Sequence, residues 1–258
     1  MSAITVYAKA STTYAAKLAA TQAVLQDACA RFDPITQASS LGAEDMVITH
    51  LLHTLQLPSE VFVLQTGKLH TQTNALLHTV QNTYGVDRVV RVYEPDAEHA
   101  EAFVQVHGDD AMYQSLELRK ACCNIRKMVP LAKALQGKKA WITGLRREQS
   151  NARAEVLAIE PPALVPGAVS ATITKVNPLA DWTNGDVWHF IASHHVPYNA
   201  LHDKFYPSIG CAPCTRAVTL GEDIRSGRWW WEQASAKECG LHAAASSSLR
   251  DIPVVATA

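Results

Sequence analysis

Apolar residues recur at helical spacing from Thr13 to Arg31, an Ala/Leu/Gln-rich stretch that reads as an amphipathic helix. Beyond it the period shortens. β-like runs fall at "ITQASS" (35–40), "VFVLQT" (61–66), "VVRVY" (89–93), "AWITGL" (140–145) and "TITKVNPL" (172–179). Helical patterns lie between and around them at 43–56, 71–84, 97–106, 112–120, 124–136 and 183–194. Strands alternating with helices predict βαβ units, hence an α/β fold with a mostly parallel sheet. Parallel strands need cover on both faces, so helices are expected on both sides. In such a sheet the ligand lies beyond the carboxyl ends of the strands. "IEPPALVPGAVS" (159–170) is too rich in proline for regular structure and is expected to be a loop. From Gly221 the periodicity loosens, and "SSSLRDIPVVATA" has no helical period. The expected organisation is an α/β body over 1–220 and a mobile C-terminal tail over 221–258.

Composition narrows the picture little. The 258 residues are 48% apolar and 18% charged, which suits one large domain or two small ones with a real core. A formal charge of −1 gives no whole-chain attraction to nucleic acid or membrane, so any anionic ligand must be met by a local cluster of Lys and Arg. The first residues lack the apolar run of a secretory signal, and no stretch is apolar enough to span a bilayer. The expectation is a cytoplasmic protein with neither membrane nor nucleic acid as partner. In a reducing compartment, six cysteines argue for metal or redox chemistry rather than a disulfide framework.

Three strand-to-helix turns carry anion-binding chemistry. In "ASSLGAEDMV" (38–47), Ser39, Ser40 and the unpaired amides of a helix start suit a phosphate or sulfate, and Gly42 permits close approach. The plain alternative is an N-capped helix with Ser as the cap and Glu44 and Asp45 in the first turn. "LQTGKLHTQT" (64–73) is a second such turn with Gly67 and Lys68, and a parallel sheet would set it beside the first. "WITGLRREQSNAR" (141–153) adds Arg146, Arg147 and Arg153, whose guanidinium forks fit phosphate or sulfate oxygens. A solvated helix start with surface ion pairs such as Arg147–Glu148 competes with that reading.

Two cysteine pairs follow, Cys122–Cys123 in "KACCNIRK" and Cys211–Cys214 in "GCAPCTRAV". The first pair is expected to cap or open the helix "NIRKMVPLAKAL", the second to lie in a turn before another helix. Four thiolates hold either Zn²⁺ or an iron–sulfur cluster. Adjacent cysteines diverge, which is awkward around one small ion, whereas a cubane offers separate iron corners. That favours [4Fe–4S] and leaves Zn²⁺ open, as it leaves open a redox role for Cys211 and Cys214 alone. Lys127, five residues after Cys122, could lend charge both to such a centre and to an anion beside it; a surface lysine is the alternative. Cys29 reads as a small buried apolar residue. In "EDIRSGRWWWEQASAKECGLH" (222–242), Arg225, Arg228 and His242 accompany Cys239. A thiolate near cations becomes a good nucleophile, although an inert cysteine in a loose terminus fits as well. The three tryptophans, 229–231, are expected to anchor the tail to the body.

Taken in order, "SSLGAED", "QTGKLHTQT", "CCNIRK", "TGLRREQSNAR", "NPLADWTNGDVW", "GCAPCTRAV" and "ECGLH" resemble the PAPS/APS reductase family over roughly residues 35 to 242. The four paired cysteines place the resemblance in the assimilatory adenylyl-sulfate (APS) reductase branch of bacterial and plant type, since PAPS-specific relatives usually lack them. The resemblance implies an adenine nucleotide α-hydrolase-like fold with a modified pyrophosphate loop. It implies Cys122, Cys123, Cys211 and Cys214 as ligands of a [4Fe–4S] cluster and Cys239 as nucleophile. Ser39, Ser40, Gly42, Lys127, Arg146, Arg225, Arg228 and His242 would bind substrate. Leu41 departs from the family's usual Ser-Phe-Ser-Gly loop and changes which serine faces the anion. The implied reaction reduces adenosine 5′-phosphosulfate to sulfite and AMP through an S-sulfocysteine, with thioredoxin or glutaredoxin as reductant, in a homo-oligomer. PAPS reduction, ATP-dependent tRNA thiolation and a zinc-bound binding module are the rival readings.

Overall fold

The computed structural model describes residues 1–85, 89–165, 171–219 and 221–232. Its centre is a six-stranded sheet in the order β3-β2-β1-β4-β6-β5. The strands are β1 (Ile35–Ser39), β2 (Glu60–Leu64), β3 (Val90–Tyr93), β4 (Ala140–Ile142), β5 (Ala163–Leu164) and β6 (Thr172–Val176). All neighbours pair in parallel except β5, which runs antiparallel to β6. The two residues of β5 fall inside the segment expected to be an irregular loop. They sit at the sheet edge, where nearby prolines cost no ladder hydrogen bond.

The helices are α1 (Ala3–Tyr7), α2 (Tyr14–Arg31), α3 (Ala43–Thr54), α4 (Thr71–Tyr84), α5 (Ala97–His107), α6 (Leu116–Cys123), α7 (Val129–Leu135) and α8 (Asn184–Ser193). One face of the sheet packs on a large core that includes Leu25, Met46, Leu51, Leu76, Trp182 and Phe190. The other face carries a smaller core of Phe62, Trp141 and Ile173 against Leu131 and Leu135 of α7. Burial on both faces explains why β2 and β4 read as near-continuous apolar runs, whereas β3 at the sheet edge is largely exposed and carries Arg91. Asp186 closes a capping box with Thr183 at the start of α8 and receives the Lys17 ammonium at 2.8 Å, which ties α8 to α2.

Two expectations about the cysteines are corrected. Cys122 and Cys123 do not open a helix; they form the last turn of α6, whose start is capped by Ser115 accepting from the Leu118 amide at 3.1 Å. Chain continuity then runs through a π-helical turn, Asn124–Met128, into α7. Pro130 has no N–H to return to the Arg126 carbonyl, and the helix widens just before it. Likewise Cys211 and Cys214 bound a single 3₁₀ turn, Ala212–Cys214, and no helix follows among the described residues. Pro213 inside that turn lacks the donor a longer helix would need.

Candidate active site

The chain turns at the carboxyl ends of β1, β2 and β4 open into one crevice, as the alternating pattern predicts. Its walls include Ser39, Ser40 and Gly42 after β1, Thr66 after β2, and Arg146, Gln149 and Arg153 after β4. Lys127, Arg225 and Arg228 also line it. Cys239 and His242 lie outside the described residues.

The loop after β1 is shaped by an acid rather than by a serine cap. Leu41 turns at φ +61° and buries its side chain in the main core, and its amide donates to Ser39 Oγ at 3.2 Å. Ser39 therefore faces inward, while Ser40 is exposed at the crevice. Gly42 occupies the N-cap position of α3 with no side-chain cap bond. Asp45 reaches back instead: its Oδ2 accepts from the Ser40 amide at 2.7 Å and the Ser40 hydroxyl at 2.6 Å. Burial raises the Asp45 carboxyl to about 6, the neighbouring Glu44 charge pushes the same way, and the hydrogen bonds from Ser40 and Gly144 oppose both. A Cβ at Gly144 would fall 2.6 Å from Asp45 Oδ1 and 2.8 Å from Glu44 Cβ, so only glycine lets β4 come this close.

Arg146 lines the crevice but spends its fork inside the protein. Its Nε donates to Glu44 Oε1 at 2.9 Å and its Nη1 to Glu148 Oε2 at 3.0 Å and the Trp182 carbonyl at 3.2 Å. Burial would push Glu44 up, but Arg146 and the Gln149 amide outweigh it and hold the carboxyl below its ordinary range. Arg147 pairs with Asp181, not Glu148. Arg153 is buried on the crevice wall. His202, also on this wall, has both ring nitrogens buried with no side-chain hydrogen-bond partner among the described residues, and burial pushes its pKa down. Nothing in the local spacing around "ALHDKF" marks it out.

At the other end of the crevice all four paired cysteines line one small cavity, together with Lys68, Arg119, Arg126 and Lys127. Lys127 borders both this cavity and the crevice. The π-turn accounts for that placement: with an extra residue in the turn, a side chain five positions after Cys122 comes round to the cysteine side. Arg126 is fixed by donating to the Thr66 carbonyl at 2.8 Å, and Lys68 by Asp109 at 2.5 Å. Thr66 Oγ1 lies 3.3 Å from Cys211 Sγ. The spacing Arg119, Cys122–Cys123, Arg126 is a helical face, so these two arginines were detectable from periodicity; Thr66 was not.

The thiols feel one another. Burial pushes Cys214 up to about 12, with a contribution from Cys211. Cys122 is likewise raised by burial. Cys211 is lowered, because Lys127, the Thr66 hydroxyl, Arg228 and Arg126 overcome its burial. Crowded thiols resist joint ionisation unless a multivalent cation compensates them. Among the described residues no three Cys, His, Asp or Glu side chains converge as a single metal ion would need. Trp229 caps the cluster, 1% exposed, with its indole between the guanidinium groups of Arg119 at 4.7 Å and Arg228 at 4.8 Å. Its buried Nε1 has no hydrogen-bond partner among the described residues. Cys29 is buried on α2, away from this group. No described helix is long and apolar enough to cross a membrane.

Residues 34–217 match the family profile described as the phosphoadenosine phosphosulfate reductase domain. A protein of Allochromatium vinosum named adenosine 5′-phosphosulfate reductase is 50% identical over 219 residues, 85% of this chain and 82% of that one. A protein of the same name from Burkholderia cepacia is 46% identical over 228 residues, 88% of each chain. Among solved structures, phosphoadenylyl-sulfate (PAPS) reductase from Candida auris in its phosphate complex superposes with a TM-score of 0.62 at 26% identity, covering 80% of this chain and 98% of that one. FMN adenylyltransferase of Candida glabrata shares the fold alone, with a TM-score of 0.53 at 12% identity over 92% of this chain and 79% of its own. The architecture is the adenine nucleotide α-hydrolase-like fold.

Proposed function

The chain belongs to the phosphoadenosine phosphosulfate reductase family, and from that premise we propose that it reduces adenosine 5′-phosphosulfate to sulfite and AMP. The observation that carries the reading is the position of Lys127, which borders both the nucleotide-sized crevice and the four-cysteine cavity. One ammonium there serves two negative bodies, a sulfo-phosphate on one side and thiolate sulfur on the other.

The four thiols fit an iron–sulfur cluster better than zinc. Among the described residues they line a shared cavity without three of them converging as one metal ion would need, and four cationic side chains line it with them. Cys122, Cys123, Cys211 and Cys214 would hold a [4Fe–4S] cluster. When bound, such a cluster supplies charge and rigidity beside Lys127, while the two reducing equivalents come from an external dithiol.

The chain's own residues divide the remaining work. Ser40, exposed at the turn after β1, and Gly42 border the nucleotide phosphate, with Ser39 and Arg146 shaping the wall behind them. Lys127, Arg225 and Arg228, with His242 from the tail, offset the repulsion between a thiolate and the sulfate oxygens and stabilise charge gathering on the leaving phosphate. Cys239 thiolate attacks the sulfate sulfur; an S–S bond forms, the S–O bond to phosphate breaks, and AMP leaves with the electron pair. A thioredoxin-type thiolate then attacks Cys239 Sγ and releases sulfite. Its second cysteine resolves the mixed disulfide and returns Cys239 as thiol.

Cys239→Ser tests this order of events. The variant is expected to bind AMP and retain iron yet take up no label from ³⁵S-labelled adenosine 5′-phosphosulfate. Labelling that persists at another cysteine overturns the assignment. PAPS use is the second reading, favoured by the likeness to the Candida auris enzyme; a kcat/KM comparison of the two nucleotides separates them.

A further inference from the structure

The end of the described chain is held by an unusual contact. Arg119 of α6 donates from Nε to Glu232 Oε1 and from Nη2 to Glu232 Oε2, both at 2.8 Å, and the two side chains are only 2% and 7% exposed. A bidentate pair this buried gains little net stability, because its desolvation offsets its attraction, but it fixes geometry closely. The same guanidinium lies over the Trp229 ring and hydrogen-bonds the Cys123 side chain.

Other contacts seat the segment on the second cysteine pair. The Trp229 amide donates to the Cys214 carbonyl at 3.2 Å, and the Glu232 amide to the Trp229 carbonyl at 2.9 Å. Trp231 meets Tyr113 edge-on at 4.5 Å, and the Tyr113 hydroxyl donates to the Pro213 carbonyl at 2.5 Å. Residues 229–232 are thus clamped to both elements that carry the paired cysteines. Trp229 also lines the crevice.

We propose that the Arg119–Glu232 pair is the fixed root of the segment bearing Cys239, and that Arg119 is a positioning residue for the thiolate attack. This rests on Cys239 being the nucleophile. Cys239 lies seven positions after Glu232, with six residues between. Fully extended, that stretch spans at most about 25 Å. A root pinned at the crevice edge keeps the thiol at high effective concentration over the sulfate; a loose root dilutes it without touching any nucleotide contact.

Glu232→Gln keeps the shape and removes the charge. With iron content and visible spectrum matching wild type, kcat is expected to fall about tenfold while KM and AMP affinity stay within about twofold, the pattern of a lost positioning step. Amide exchange of a peptide covering 229–232, read by mass spectrometry, is expected to speed up at least about tenfold. Wild-type kcat together with wild-type protection overturns the proposal. So does a variant that loses iron or AMP binding along with kcat, since the pair would then hold up the whole centre. Should Glu232→Gln fail to fold, Glu232→Asp is read by the same criteria, with a smaller expected change. If the wild-type chain proves inactive on adenosine 5′-phosphosulfate, the functional reading fails, and the exchange measurement alone still scores the root.

Discussion

At the β1–α3 end of the crevice, charge is matched within the protein. Arg146 is enclosed by Glu44, Glu148 and a carbonyl, and Glu44 also receives Gln149. At the cysteine end, Arg119 is paired with Glu232 and Lys68 with Asp109, yet both, with Arg126 and Lys127, also line the cavity of the four paired cysteines. Both ends pair cations with carboxylates, but at the cysteine end, built from α6, the π-turn and the turn at Cys211–Cys214, the same cations also border thiol sulfur, and Lys127 borders the crevice as well. The difference teaches that a cation count alone does not locate an anion site: three arginines follow β4, and the first of them is spoken for.

The strongest way to break this comparison is Arg146→Met. Glu44 would be left without its countercharge in a largely buried setting, and unfolding free energy is expected to drop by roughly 3–5 kcal/mol in urea titration. A loss confined to AMP affinity, with stability intact, would show that Arg146 serves the ligand after all and that the two ends are alike.

Lys127→Ala probes the opposite end. If Lys127 acts on charge developing in the reaction, kcat/KM is expected to fall roughly 10²–10³-fold, or about 2.7–4 kcal/mol of barrier. The stability change is expected to be smaller than for Arg146→Met. Steady-state kinetics beside a urea titration of the same preparation reads both quantities. A variant with full activity, or one whose only defect is unfolding, would erase the contrast between a ligand-facing cation and a structural one.

Much of this contrast was legible in the sequence, and the missing part has one physical cause. The helix and strand periods located α2 to α4, α8 and the parallel strands, most plainly at β2 and β4, where burial leaves apolar runs. The turns and the cysteine pairs were legible because glycine, serine and thiol chemistry is written locally. What spacing could not reveal are partners far apart in the chain. Arg146 and Glu44 are separated by 102 residues, and Arg119 and Glu232 by 113. The π-turn escaped as well, since a helical period of apolar residues does not register one extra residue ahead of Pro130. His202 is invisible for a further reason: its character lies in the lack of a side-chain partner among the described residues, which only a folded environment defines.

The finest test concerns Asp45, the carboxylate at the matched end that is held by hydroxyl and amide donors from Ser40 and Gly144. Its ordinary value is 3.8, and in the fold it stands at about 6, chiefly through burial. A carboxyl raised by folding prefers its proton in the native state. Its stabilising contribution is therefore full below the unfolded value, shrinks as pH climbs through 6, and is gone above it. At pH 5, one unit below the folded value, a contribution on the order of 1 kcal/mol remains; at pH 7.5 essentially none does. Glu44, lowered in the fold, works in the opposite direction, so wild-type data alone mix the two. Asp45→Asn removes only the first. Urea titrations of both proteins at pH 5 and 7.5 are expected to show wild type losing on the order of 1 kcal/mol relative to the variant across that interval. Parallel pH dependences would mean that Asp45 is as well compensated as its neighbour Glu44, and that the β1–α3 end is closed without exception.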